Sequence, residues 1–331
     1  MKAIMKDVLL SCFMGLILPS VVVHGAVFLR QNRQEPPPQT VPTQPSYVGN
    51  IHVAVRTGEE VQMRELEDYI TEVVLSEMPA SFEPEALKAQ AVAARTYTMK
   101  AALTGGKHGD GSTCTDSACC QAHISQSAYL LKGGTEEAYA KVRSAVVGTA
   151  GQVLTYGGEL IEATYFSCSG GRTEDAVQVW GADYPYLVSV ESPGEEAAAH
   201  YRDTVTFTPE EFADALDREL EGTVKDWFEG IQYTHAGSVS TATICGQDYT
   251  GTQLRSLLGL RSTAFSVETK ENTITITTKG YGHRVGLSQY GADAMAVQGS
   301  DYREILAHYY TDTVLGEVVE ADDGYAVKIN P

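Results

Sequence analysis

The chain has 331 residues, 43% of them hydrophobic, and carries a formal net charge of −19. The apolar fraction is ample for a sizeable core, in one large domain or two. The acidic balance excludes a nucleic-acid binder, whose phosphates demand a basic surface, and acidic pairs such as Glu195-Glu196 and Glu210-Glu211 read as ordinary solvated surface.

In chain order, Val8 to Leu29 is a run of about 22 residues without a charge, long enough to cross a bilayer as a helix. The flanking charges, Lys2, Lys6, Asp7, Arg30 and Arg33, give only a weak orientation bias. A cleaved signal peptide is the competing reading, opposed by the length of the run and by His24 two places before Ala26. The expectation is an uncleaved transmembrane anchor over residues 1–30, giving a single-pass protein of the cell membrane with its bulk outside the cytoplasm. Residues 31–48, turning to Pro, Gln and Thr, are expected to form an extended, solvated linker. Residues 49–331 are expected to form one mixed domain of α+β class, because helices and strands do not alternate along it.

That domain opens with a short predicted strand near Ile51 to Val55. Apolar residues then recur at Leu66, Tyr69, Ile70, Val73 and Val74, the spacing of one helical face, and the next position in phase is Glu77. Eleven residues at roughly 100° each bring Glu77 to within about 20° of Leu66. A carboxylate ending a buried face is expected to be partly desolvated, which raises its pKa and suits it to general-acid chemistry; the competing reading is a helix simply reaching solvent. Met78-Pro79 stops the helix, and Pro84 and Glu85 suit the first turn of a second one reaching about Leu103. Its alanines at 86, 89, 91, 93 and 94 let another backbone come close, and Lys88 and Arg95 share one face. Such a pair can hold a cation over the acid.

A Gly- and Cys-rich loop follows, with His108, Cys114, Cys119, Cys120 and His123. Its spacing is not that of a zinc finger, so metal binding stands beside a disulfide or free thiols. Strands are expected over Gln152 to Tyr165, then a turn at Gly170-Gly171 that exposes Ser167 and Ser169. A helix is predicted around Pro209 to Leu220, and Thr/Ile alternation marks a half-buried strand over Thr273 to Thr278. His283 lies in a loop before Ser288, a good N-cap for a helix to about Val297, and a last helix runs over Tyr302 to Tyr310. Trp180, Tyr184, Tyr186 and Tyr290 offer faces for sugar rings, though aromatics in such places also serve as core.

Three segments carry a resemblance. SEMPASFEPEALKAQAVAARTY from Ser76, YFSCSGGRTEDAVQVWGADYPYLVSVESP from Tyr165 and GYGHRVGLSQYGADAMAVQGSDYREILAHYY from Gly280 resemble, in order, the blocks of the stage II sporulation protein D family. These are cell-wall lytic transglycosylases of engulfment in endospore-forming bacteria. The resemblance implies a carbon–oxygen lyase that cleaves peptidoglycan non-hydrolytically between N-acetylmuramic acid and N-acetylglucosamine, leaving 1,6-anhydro ends. It implies Glu77 as the acid, with Arg95 and Tyr165 beside it. Lys88, Ser167, Ser169, His283, Ser288 and Gln289 are the expected substrate contacts. It also implies a zinc ion pinning the loop through His108, Cys114 and Cys120, with Cys119, at a position where relatives often differ, a further candidate. The implied partners are glycan strands stripped of stem peptides, an amidase-endopeptidase and the membrane scaffold of the engulfment machinery. Cys168 and Arg284 depart from the family pattern: the first reads as a tolerated substitution, the second as narrowing the groove. The alternative is a wall-binding enhancer of an amidase that does not cut, and a zinc peptidase is a poorer third, for want of a water-activating acid near the loop.

Overall fold

A hairpin of β1 (His52–Thr57) and β2 (Glu60–Glu65) feeds directly into helix α1 (Leu66–Glu77) in the computed structural model, which describes residues 51–321 and 324–329. The Glu65 carboxylate caps α1 by accepting from the Asp68 N–H at 2.7 Å, and Glu67 and Asp68 suit its positive N-terminal end. Leu66, Tyr69, Ile70, Val73 and Val74 are fully buried, so the periodic face is the core face. Met78, extended before Pro79, ends the helix. Helix α2 (Pro84–Thr104) begins on its proline and stops at Gly105, whose φ of 90° is the left-handed conformation that glycine adopts without steric cost. All five of the alanines noted in the sequence are buried, and α1 packs against α2.

Chain order continues with β3 (Thr113–Cys114), α3 (Gln126–Leu131), α4 (Glu136–Val147), β4 (Gln152–Tyr156), β5 (Glu159–Leu160), β6 (Tyr165–Phe166) and α5 (Ala176–Trp180). Next come β7 (Arg202–Phe207), α6 (Pro209–Ala215), α7 (Val224–Trp227), β8 (Phe228–Tyr233), β9 (Val239–Ile244), β10 (Gln247–Thr250), α8 (Gly251–Leu257), β11 (Phe265–Lys270) and β12 (Thr273–Lys279). The last elements are β13 (Leu287–Ser288), α9 (Gln289–Val297), α10 (Tyr302–Tyr309), β14 (Val314–Ala321) and β15 (Gly324–Ile329).

Helix α2 is the axis of the first core, packing against α1, α4, α9, α10 and β4. Strands β15-β14-β4-β5 close one side of it, and the two-residue parallel pair of β6 with β13 joins segments more than a hundred residues apart. A second core is built by β7 to β12 and their helices around Phe212, Trp227, Ile244, Leu254 and Ile276. The expected mixed α+β architecture is what the described residues form, and they lie in one compact unit.

The expected transmembrane helix and single-pass topology require correction: no helix among the described residues is long and apolar enough to cross a membrane. The segment to which they were assigned, with the linker over 31–48 and both boundaries, lies outside the described residues. Two smaller expectations also fail. The helix from Pro209 stops at Ala215 instead of Leu220. Glu195, read as solvated surface, is 1% exposed.

Candidate active site

Glu77 ends α1 at the wall of a cleft of about 840 Å³, lined also by Gln121, Tyr165, Trp180, His283 and Gln289. One carboxylate oxygen accepts from the Ala122 N–H at 2.8 Å and the other from Gln289 Nε2 at 3.2 Å. Burial raises the Glu77 pKa; the two donors, which favour the charged form, pull against it, and burial prevails. The Tyr165 hydroxyl donates to Gln121 Oε1 at 2.8 Å, and burial, followed by the charge of Glu77, lifts its pKa well above the usual value. His283 sits between the rings of Phe166 and Trp180, with centroids at 5.5 and 5.2 Å. Its Nδ1 accepts from the Val285 N–H, so the proton lies on Nε2, which donates to the Tyr165 carbonyl at 3.1 Å. Burial, with Arg255 nearby, pushes it down to about 4 and leaves it neutral. It therefore braces the backbone that carries Tyr165.

Of the other expected contacts, Ser167 lines the cleft, but Ser169 and Ser288 do not. Both are fully buried and donate to Glu195, which also accepts from Ser192 Oγ, the N–H groups of Ser169 and Gly170, and Cys168 Sγ. This carboxylate binds the Ser169 turn to the start of α9, and a side chain at Gly291 would collide with Ser192 Oγ at 2.2 Å. Cys168, held at that hub and pushed up to about 12 by burial and by Glu195, has no nucleophilic character.

Arg95 does not reach the cleft either. Fully buried, it forks onto Glu67, with Nε 2.9 Å from Oε1, and two further protons go to the carbonyls of Gln152 and Val146, each at 3.1 Å. Lys88 pairs with Glu85 at 2.6 Å, away from the cleft lining. Arg284, expected to narrow the groove, is 2% exposed and turned away from it, donating to the carbonyls of Ser169, Arg172 and Ala236 and to Ser238 Oγ.

His108, Cys114, Cys119 and Cys120 converge, their ligand atoms all within 4.8 Å of one another, and can hold a metal ion. A hydrogen bond with Cys114, with burial and Cys120, drives the Cys119 thiol up to about 11, whereas a bound cation would favour its thiolate. The residues that follow the cluster all reach the helix pair: Gln121 donates to Thr98 Oγ1 at 2.9 Å, Ala122 to Glu77, and His123 Nε2 meets Glu72 at 2.8 Å. Sequence reasoning missed Gln121 and Ala122. Their one signal was adjacency to the cysteines. It also missed Glu162, which lines the cleft and pairs with Lys100 at 2.8 Å.

Residues 56–156 match the family model described as stage II sporulation protein. The chain is 40% identical to stage II sporulation protein D of Bacillus amyloliquefaciens over 284 residues, 84% of this chain and 82% of that one. It belongs to the stage II sporulation protein D family. The counterpart in Bacillus subtilis (strain 168) is 38% identical over the same shares. An amidase enhancer of that strain is 30% identical over 73% of this chain, though over 39% of its own length. The segment matched to the family model holds Glu77 and the His/Cys cluster, whereas Tyr165, His283 and Gln289 come from beyond it.

Proposed function

We propose that the cleft is the catalytic site of a lytic transglycosylase acting on the glycan strands of peptidoglycan in sporulation. The observation that carries this reading is Glu77: a cleft carboxyl with a raised pKa, held by two neutral donors and, among the described residues, by no cation. In this reading it meets the substrate in the protonated form that burial favours, and gives its proton to the glycosidic oxygen as the bond to the muramyl C1 breaks. The carboxylate left behind, steadied by Ala122 N–H and Gln289 Nε2, takes the proton of the muramyl C6 hydroxyl as that oxygen closes onto C1. Glu77 ends as it began, no water enters, and the product is a 1,6-anhydro end. In this reading Tyr165, which lines the cleft, hydrogen-bonds the reacting sugar, and Trp180, 44% exposed on the cleft wall, stacks on a ring. Strands stripped of stem peptides are the expected substrate, which makes the engulfment amidase-endopeptidase the partner enzyme.

The His/Cys set fits a structural zinc ion. Tetrahedral zinc holds sulfur and nitrogen ligands roughly 3.5–3.8 Å apart, and the observed separations are 3.6 and 3.8 Å from His108 Nε2 to Cys120 and Cys119 and 3.9 Å between the two sulfurs. His108, Cys114, Cys119 and Cys120 would hold it, and the ion would supply the staple that keeps Gln121 and Ala122 against the acid.

Glu162 supports a second reading, hydrolysis with two carboxylates; similarity to an amidase enhancer supports a third, glycan binding without cleavage. Digestion of purified, peptide-free glycan strands followed by mass spectrometry separates the three. Anhydro-muramyl products that disappear with Glu77→Gln, glycan binding being kept, are expected. Reducing ends would mean hydrolysis, and intact strands a binder.

A further inference from the structure

The polarity of the hydrogen bonds around Gln121, which also meets Tyr69, follows from its partners. Thr98, on α2, donates its hydroxyl to the Ala94 carbonyl at 2.9 Å, as a helical threonine does, so its oxygen is left to accept. The group facing it across 2.9 Å must then be the amide nitrogen of Gln121, not its oxygen. That fixes the amide: Gln121 Oε1 points at Tyr165 and takes the hydroxyl proton at 2.8 Å. Gln121 is 2% exposed, so it is not free to turn over. With its one proton committed, the Tyr165 oxygen has only lone pairs left to offer, and Tyr165 lines the cleft together with Glu77.

We infer that Gln121 is a positioning residue which sets Tyr165 as a hydrogen-bond acceptor toward the cleft, so that the group recognised there is a donor, a hydroxyl of the bound sugar. The inference rests on the lytic reading of the site and extends it: a lone-pair face beside Glu77 suits an attacking hydroxyl that must keep its proton until the carboxylate is ready. A ring oxygen or a carbonyl would be rejected.

The test is a double-mutant cycle in the full chain with Gln121→Met and Tyr165→Phe, assayed on peptide-free glycan. Gln121→Met should lower kcat by roughly ten- to a hundredfold with KM little changed, and in the Tyr165→Phe background it should cost nothing more. Losses that multiply would show that Gln121 does not act through Tyr165 and overturn the inference. Should Gln121→Met fail to fold, Thr98→Val frees the far end of the same chain and is expected to give a smaller loss that also vanishes with Tyr165→Phe. A readout independent of cleavage is the slowly exchanging hydroxyl proton of Tyr165 in NMR spectra. It should be present in wild type and in Glu77→Gln and absent from Gln121→Met. Its persistence in Gln121→Met overturns the inference even if the chain proves not to cut glycan, and absent cleavage with the NMR pattern intact sinks only the lytic reading.

Discussion

Glu77 is held by donors that oppose its raised pKa, and this gives a pH test with a definite sign. Burial raises the pKa, whereas Gln289 Nε2 stabilises the carboxylate and lowers it. Gln289→Ala removes a stabiliser of the charged form, so the pKa should rise further and the alkaline fall in cleavage rate should move to higher pH. A pH–kcat profile of the variant measures this; a limb that stays put or moves to lower pH would mean that Gln289 does not tune the acid. Glu77 was legible in the sequence because a helix imposes its period on every residue, and a carboxylate out of character with its face stands out. Ala122 was not, since it acts through a backbone N–H that any residue owns. Glu195 misled for a different reason: next to Glu196 it looks solvated, and only the folded chain brings Ser169, Ser192 and Ser288 around it.

Among the elements, the pair of α1 with α2 was predictable from period, prolines and alanines, but the job of its buried cation was not. Arg95 and Glu67 lie a full helix-turn-helix apart in sequence and meet in the core, where Glu67 also accepts from the Gly151 N–H at 3.0 Å. Removing one member of a buried, hydrogen-bonded ion pair strands the other, at a cost of about 3–5 kcal/mol. Arg95→Ala should therefore lower the urea midpoint by a corresponding amount, while the surviving folded fraction keeps its kcat. Lost activity at full stability would put Arg95 back at the chemistry. The loop after α2 carries its own test. If the cluster holds zinc, Cys114→Ser should reduce the metal content below one per chain and expose the loop to protease, because structural metal binding is folding free energy. Elemental analysis and limited proteolysis check this. Full zinc content and an unchanged digestion pattern in Cys114→Ser would exclude Cys114 as a ligand.

At the scale of the molecule, Arg284 ties the segments of the two hydrophobic cores together, its guanidinium holding Ala236 and Ser238, just before β9, to Ser169 and Arg172, just after β6. Arg284→Met keeps much of the volume and loses these bonds, so calorimetry should show the single unfolding transition broaden or split in two. One unaltered transition would mean that apolar contact alone couples the cores. The mixed α+β class was readable from the order of the patterns, and β12 from its Thr/Ile alternation. Of the rest of the second core only the helix from Pro209 was legible, since α7 and α8, of four and seven residues, are too short to show a period. Nor were the two-residue strands β6 and β13, which exist only because each has the other.

The surroundings of Glu77 come from far along the chain: Ala122 is 45 residues on and Gln289 is 212. A polypeptide that grows from its N-terminus thus carries its acid early and the means to tune it late. Until α9 docks, Glu77 lacks one of its two donors and part of the cleft wall, so the nascent protein is chemically unfinished for most of its synthesis. If the cleft cuts glycan as proposed, the order of the sequence delays that cutting until α9 has been made.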